Sequence, residues 1–245
     1  MFNLTEILNT KNQLDNRTCS LVEKFVSKEN DVTRFLLGCN EHSESLAALI
    51  DIDGFVDDFA ANGIFWNGKP VIKSETLPDN AIVVNCSMSI SPVTASQKLQ
   101  QLEIKNGGCL NYSDLLQLKP KLIPAPVFVA EMRKDIAENE AHWTSLLEKF
   151  ADEESVKVFN DLVHYRLTAD LACMVDYSTR LSDQYFEDFL TLNNEVFVDA
   201  GGFDGDTTEE FCKRYPTYKK VILFEPSENN MLKAKKRLAN HRDIE

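Results

Sequence analysis

The residues whose types and spacing suggest chemistry run Val196-Phe197-Val198-Asp199-Ala200-Gly201-Gly202-Phe203-Asp204-Gly205-Asp206-Thr207-Thr208. An apolar run ends in a carboxylate, and glycines follow at 201, 202 and 205. Glycine lets the backbone turn tightly and come close to a ligand. A turn of this kind, leading from a strand into a helix, sits at the carboxyl end of a sheet, where open α/β folds bind their ligands. Thr207 or Thr208 is a good residue to cap the helix that follows. The next apolar run, Lys220 to Phe224, ends in Glu225. A carboxylate at the end of that second strand is placed to accept hydrogen bonds from both hydroxyls of a ribose.

A dinucleotide site needs Gly-x-Gly-x-x-Gly, so that a pyrophosphate can rest on the helix N-terminus. Here Phe203 stands in place of the second glycine and Asp206 in place of the third. Asp199, Asp204 and Asp206 also set three carboxylates around one loop. They repel a pyrophosphate and suit a ligand carrying an ammonium and a sulfonium. The expected cofactor is therefore S-adenosyl-L-methionine (SAM), in preference to NAD.

With Val196-Phe-Val-Asp-Ala-Gly-Gly-Phe-Asp-Gly-Asp-Thr and Phe224-Glu225-Pro226-Ser227, the sequence resembles the FkbM-type methyltransferase family. A looser likeness reaches back through Tyr165-Arg166-Leu167-Thr168 and Gln184-Tyr185-Phe186. The resemblance implies SAM-dependent methyl transfer to a hydroxyl, often on a sugar or polyketide-derived substrate and often in polysaccharide biosynthesis. By motif position Asp199, Gly201 and Gly205 line the methionine and ribose of SAM, and Glu225 holds the ribose hydroxyls. Gly202, Phe203, Thr207 and Pro226 complete the implied cofactor-binding set, and Tyr185 with Phe186 closes over it. Members of the family continue through further strands. The resemblance thus implies an incomplete domain, finished by a continuation, a second copy or a partner. It also implies an unpaired apolar edge at Val221 to Phe224, a liability in any sheet. It names no catalytic residue.

The elements that must position this loop follow from periodicity. Apolar residues at helical spacing (Phe2, Leu4, Ile7, Leu8, then Leu21, Val22, Phe25, Val26) predict N-terminal helices over 1–30. Over 31–126, strands at Val32–Leu37, Ile52–Asp58, Lys69–Ile72, Ala81–Cys86 and Cys109–Tyr112 alternate with helices at Ser43–Ile50 and from Ser91 to Leu102. That rhythm predicts a doubly wound, Rossmann-like parallel sheet. Residues 127–194 read as a helical connector, with Asp152-Glu153-Glu154 at a helix start. Residues 195–245 read as the first half of a class I SAM methyltransferase fold. With Phe35-Leu-Leu-Gly-Cys-Asn, Gly54-Phe-Val-Asp-Asp and Gly68-Lys-Pro-Val-Ile, the first domain resembles the Rossmann-like domain of nucleotide-sugar and sugar-acyltransferase proteins, but Gly38-Cys39-Asn40-Glu41-His42 is a degraded phosphate loop. There, Asp57 and Asp58 are candidate nucleoside contacts, and a scaffold role is the stronger expectation.

Composition narrows the partners. The chain has 245 residues, with 26 basic against 39 acidic and a net charge of −13. Nucleic acid and anionic membranes need a positive footprint that this balance lacks. Four histidines show no metal spacing, and six scattered cysteines form no close pair. There is no signal-like start and no membrane-length apolar run, so a cytoplasmic location is expected. The competing expectation is a non-catalytic nucleotide-binding or docking protein.

Overall fold

The computed structural model describes residues 14–27, 31–88, 92–102, 104–177 and 184–245. The helix expected over Phe2 to Leu8 lies outside these. The chain divides into two compact units, 1–177 and 178–245. Its mixed α/β architecture, with mostly parallel sheets, matches the expected class.

The first unit opens with helix α1 (Asn16–Val26), capped by the Asp15 side chain, which accepts from Thr18 N–H at 2.6 Å. It continues as β1 (Thr33–Leu37), α2 (Glu41–Ala47), β2 (Gly54–Val56), β3 (Phe65–Trp66), β4 (Lys69–Ile72), β5 (Ala81–Asn85), α3 (Pro92–Gln100), β6 (Gly108–Asn111) and α4 (Tyr112–Leu118). The sheet order is β3-β4-β2-β1-β5-β6, parallel except for β3 against β4. That antiparallel pair was not anticipated. Its turn is Asn67-Gly68, both in left-handed backbone (φ 47° and 75°). Two consecutive positive φ angles form the tight hairpin turn that suits the twist of flanking strands. Trp66 is exposed on this hairpin.

Alternate residues of the central strands point to opposite faces, and both faces are covered. Leu36, Phe55, Ile82 and Val84 pack with Val22 and Phe25 of α1, Leu46 of α2 and Leu115 of α4. Phe35, Val56, Ala81 and Val83 pack with Leu99 of α3. A parallel sheet needs this two-sided cover, which is why its strands are apolar throughout. Arg34 is buried at the start of the sheet. Its guanidinium donates to the carbonyls of Phe25, Lys24 and Ser27, closing the C-terminus of α1.

Two longer helices complete the unit. Helix α5 (Val127–Leu147) kinks at Asn139, and α6 (Glu153–Thr168) is capped by Asp152, which accepts from Ser155 N–H at 2.7 Å. They pack through Met132, Ile136, Val163 and Leu167. Val129 enters the sheet core, and Tyr165 Oη donates to the carbonyl of Met88 at 2.5 Å.

The second unit contains β7 (Val196–Ala200), α7 (Asp206–Arg214), β8 (Lys220–Phe224) and α8 (Glu228–Arg237). β7 and β8 are parallel, in register from Val196↔Lys220 to Ala200↔Phe224. Residues 184–190, expected to be helical, are irregular; Phe186 there packs on Phe197, Phe211 and Tyr215. The expected unpaired edge is also corrected. Val221 N–H donates to Asp243, Glu245 N–H to Val221 and Leu223 N–H to Glu245, so residues 243–245 run along the outer side of β8. These three bonds satisfy the N–H groups of Val221 and Leu223 and the Val221 carbonyl on that edge.

Candidate functional site

Three main-chain bonds shape the glycine turn. Gly201 and Gly202 both donate to the Phe224 carbonyl, at 2.8 and 3.0 Å, and Gly205 donates to the Gly202 carbonyl at 2.7 Å. The turn is thus pinned to the end of β8, beside Glu225. Gly201 and Gly205 have φ of 90° and 83°, in the left-handed region that favours glycine. Gly202 is constrained differently: a Cβ there would lie 2.7 Å from Leu223 Cγ. Its role is close approach, a requirement that the spacing of glycines does not reveal.

Phe203 also has left-handed backbone, φ 43°, which is uncommon for a bulky residue. Its N–H donates to Glu225 Oε2 at 2.9 Å, and Ser227 N–H donates to Oε1 at 2.8 Å. Each Glu225 oxygen thus accepts one backbone bond. A carboxylate offers about four acceptor sites, so both oxygens keep capacity for further donors. The Phe203 ring is 56% exposed. A strained residue held in place beside an acceptor with spare capacity is the pattern found at binding sites.

The expected threonine cap is corrected. Helix α7 begins at Asp206 with Gly205 in the cap position, and no side chain caps it. Thr207 and Thr208 lie within the first turn. Thr208 is fully buried, and its hydroxyl donates to Asp199 Oδ2 at 2.6 Å. Both threonines lie past the cap position, and the Thr208 hydroxyl serves as a donor to the carboxylate at the end of β7.

The picture of three open carboxylates is corrected as well. Asp204 is neutralised by Arg237 of α8, whose guanidinium donates to its Oδ2 at 2.7 Å and to its main-chain oxygen at 3.0 Å. Asp199 is 9% exposed and bonded to Thr208. Asp206 remains exposed at the helix start, where its charge suits the dipole. The structure therefore brings together Asp199, Gly201, Gly202, Phe203, Gly205 and Glu225, with Thr207 and Pro226 adjoining in sequence. Tyr185 is 58% exposed; Gln184 donates to its hydroxyl at 3.1 Å and its ring meets Phe186. Among the described residues no hydrogen bond or ring contact ties it to the glycine turn. Phe186 is a core residue of this unit, because four aromatic rings surround it.

In the first unit the strand order reverses between β1 and β5, the place where doubly wound sheets bind ligands. Asn40 Nδ2 donates to the Cys86 carbonyl at 3.1 Å, and Asn85 accepts from Ser87 N–H. Asp57 accepts from Phe59 and Ala60 N–H, and Asp58 is held by Ser74 and Lys98. Both acids thus have local structural partners. A cavity of about 790 Å³ lies at the opposite end of β1 and β2, beside Arg34 and Asp53. Arg34 closes α1, and Asp53 accepts from Arg34 N–H at 2.7 Å. Among the described residues no group of histidine, cysteine and acidic side chains is placed to hold a metal, and no helix is long and apolar enough to cross a membrane.

The second unit is thus an α/β unit with a glycine turn and a strand-terminal acid, attached to a Rossmann-like unit. In fold the chain is similar to the crystal structure of methyltransferase FkbM from Methylobacillus flagellatus KT. The TM-score is 0.65, covering 99% of this chain and 69% of that one, at 15% identity. At that identity the likeness is one of fold. No protein-family model matches the sequence, and neither does any curated protein.

Proposed function

We propose that the protein is a SAM-dependent methyltransferase of FkbM type, acting on a hydroxyl of a sugar or glycan-related substrate. The observation that carries this reading is Glu225, held beside the glycine turn by Phe203 and Ser227 N–H with acceptor capacity left on both oxygens. Ribose hydroxyls are the donors that a carboxylate in this position meets in nucleoside sites. The fold shared with methyltransferase FkbM supports the assignment. The phenylalanine at 203 and the acid at 206 oppose a dinucleotide, which needs small residues at those positions.

In this reading SAM supplies an electrophilic methyl group. The turn from Gly201 to Gly205 lies along the cofactor's amino-acid and ribose portion, and Glu225 orients the ribose. The first unit is a scaffold. The acceptor is a small molecule or carbohydrate and not nucleic acid, given the net charge of −13. The protein works in the cytoplasm.

Calorimetric titration with S-adenosylhomocysteine tests the proposal. The wild-type chain should bind it saturably, and Glu225→Ala should weaken binding at least about tenfold, the loss expected when hydrogen bonds to a charged group disappear. Gly201→Arg should abolish binding by filling the turn. A folded wild-type chain that binds NAD but not S-adenosylhomocysteine would overturn the assignment. Binding without methyl transfer from labelled SAM to any glycan acceptor would favour a docking role.

A further inference from the structure

Asp199 is the buried acid of the glycine turn, and only one of its oxygens has a partner among the described residues. Thr208, fully buried in the first turn of α7, donates its hydroxyl to Oδ2 at 2.6 Å. No hydrogen bond reaches Oδ1 from the described residues. Yet no buried side-chain oxygen or nitrogen among the described residues lacks a partner, so Oδ1 keeps contact with solvent. Burying a carboxylate is costly unless it is paired and bonded. The acid is thus half satisfied by the protein and open on its other side, at the carboxyl end of β7, where Gly201 begins the turn.

We infer that Thr208 is a positioning residue: it fixes the Asp199 carboxylate so that Oδ1 faces a cationic donor on the ligand, the α-ammonium of the cofactor's amino-acid portion. This rests on the SAM reading above and adds a residue that acts through Asp199 without itself touching the ligand. Two features favour orientation over simple packing. The bond is short and buried, and the hydroxyl donates to the acid instead of back to a carbonyl three or four residues earlier, the usual acceptor for a threonine in a helix. A threonine in this place has a choice of acceptors, and the fold assigns it to Asp199.

The test uses the full chain and two probes. S-Adenosylhomocysteine carries the amino-acid portion, and 5′-methylthioadenosine lacks it. Thr208→Val keeps the shape and removes the donor, whereas Thr208→Ser keeps the donor. The expected result is that Thr208→Val weakens S-adenosylhomocysteine about tenfold and leaves 5′-methylthioadenosine unchanged, with Thr208→Ser close to wild type. Equal weakening of both probes, or no change in either, overturns the positioning role while the cofactor reading stands. A wild-type chain that binds neither probe overturns the cofactor reading and the role of Thr208 with it. Should Thr208→Val fail to fold, Thr208→Ser decides by the same ratio: a selective loss of S-adenosylhomocysteine affinity despite a retained hydroxyl contradicts the proposal.

Discussion

Gly201 and Gly205 share a left-handed backbone but differ in their surroundings. Nothing lies within 4 Å of a Cβ built on Gly201, whereas one on Gly205 would lie 3.1 Å from Leu238 Cδ1 and 3.2 Å from Ala234. Gly201→Ala should therefore cost about 1 kcal/mol, from backbone strain alone. Gly205→Ala should cost about 2–3 kcal/mol, since it also overpacks the contact between the turn and α8. Denaturant melts of the two variants check the order; equal losses would mean that α8 yields. At this scale the glycines and Glu225 were legible because their types carry the constraint: φ above zero, or a charge at the end of a strand. The partners of Asp199 and Asp204 were not. Thr208 is close in sequence to Asp199, but Arg237 comes from another helix, and only the packing of α8 on the turn brings it to Asp204.

Among the elements, α4 carries a titratable start. Asp114, in its first turn, accepts from Asn111 N–H at 2.8 Å. Burial raises its pKa to about 6; the Asn111 bond opposes this, and Asp170 and Asp15 add to the rise. A carboxyl whose folded pKa lies above its unfolded value favours folding while protonated. Its contribution is fully present below about pH 4 and is lost as pH rises through about 6. Asp114→Asn keeps an acceptor oxygen and removes the charge. Relative to wild type it should gain about 1–3 kcal/mol at pH 8 and nothing at pH 4. Urea melts at the two pH values check this, and a gain of the same size at both would exclude titration as its source. The strands of the first unit were readable as apolar runs because both faces of that sheet are buried. The turn of the hairpin between β3 and β4 is legible in Asn67-Gly68, but its strands, Phe65–Trp66 and Lys69–Ile72, are too short to show alternation. The start of α7 lies earlier than the threonines suggest, because Gly205 in left-handed backbone already begins the helix at Asp206.

At the scale of the molecule, the two units differ in how their sheets are covered. The six-stranded sheet has apolar layers on both faces. In the second unit, Phe211, Cys212 and Val221 pack together on one face. On the other, Val198 is 53% exposed, and Val196 and Phe224 are exposed with it. Residues 1–177 expressed alone should therefore melt cooperatively without binding a hydrophobic dye. Residues 178–245 alone should bind the dye or self-associate. A monomeric, dye-silent 178–245 fragment would contradict this reading of the bare face. The sequence by itself determined the α/β class, the apolar strands and the glycine turn with its acid, since periodicity and residue type act locally and survive without knowledge of contacts. Only the tertiary structure decided which acids stay open to a ligand, how residues 243–245 run along the outer edge of β8, and that Asn40 bonds to the Cys86 carbonyl across the first sheet. Those outcomes depend on side chains far apart in sequence competing for the same buried partners, and the competition is settled only when the elements pack.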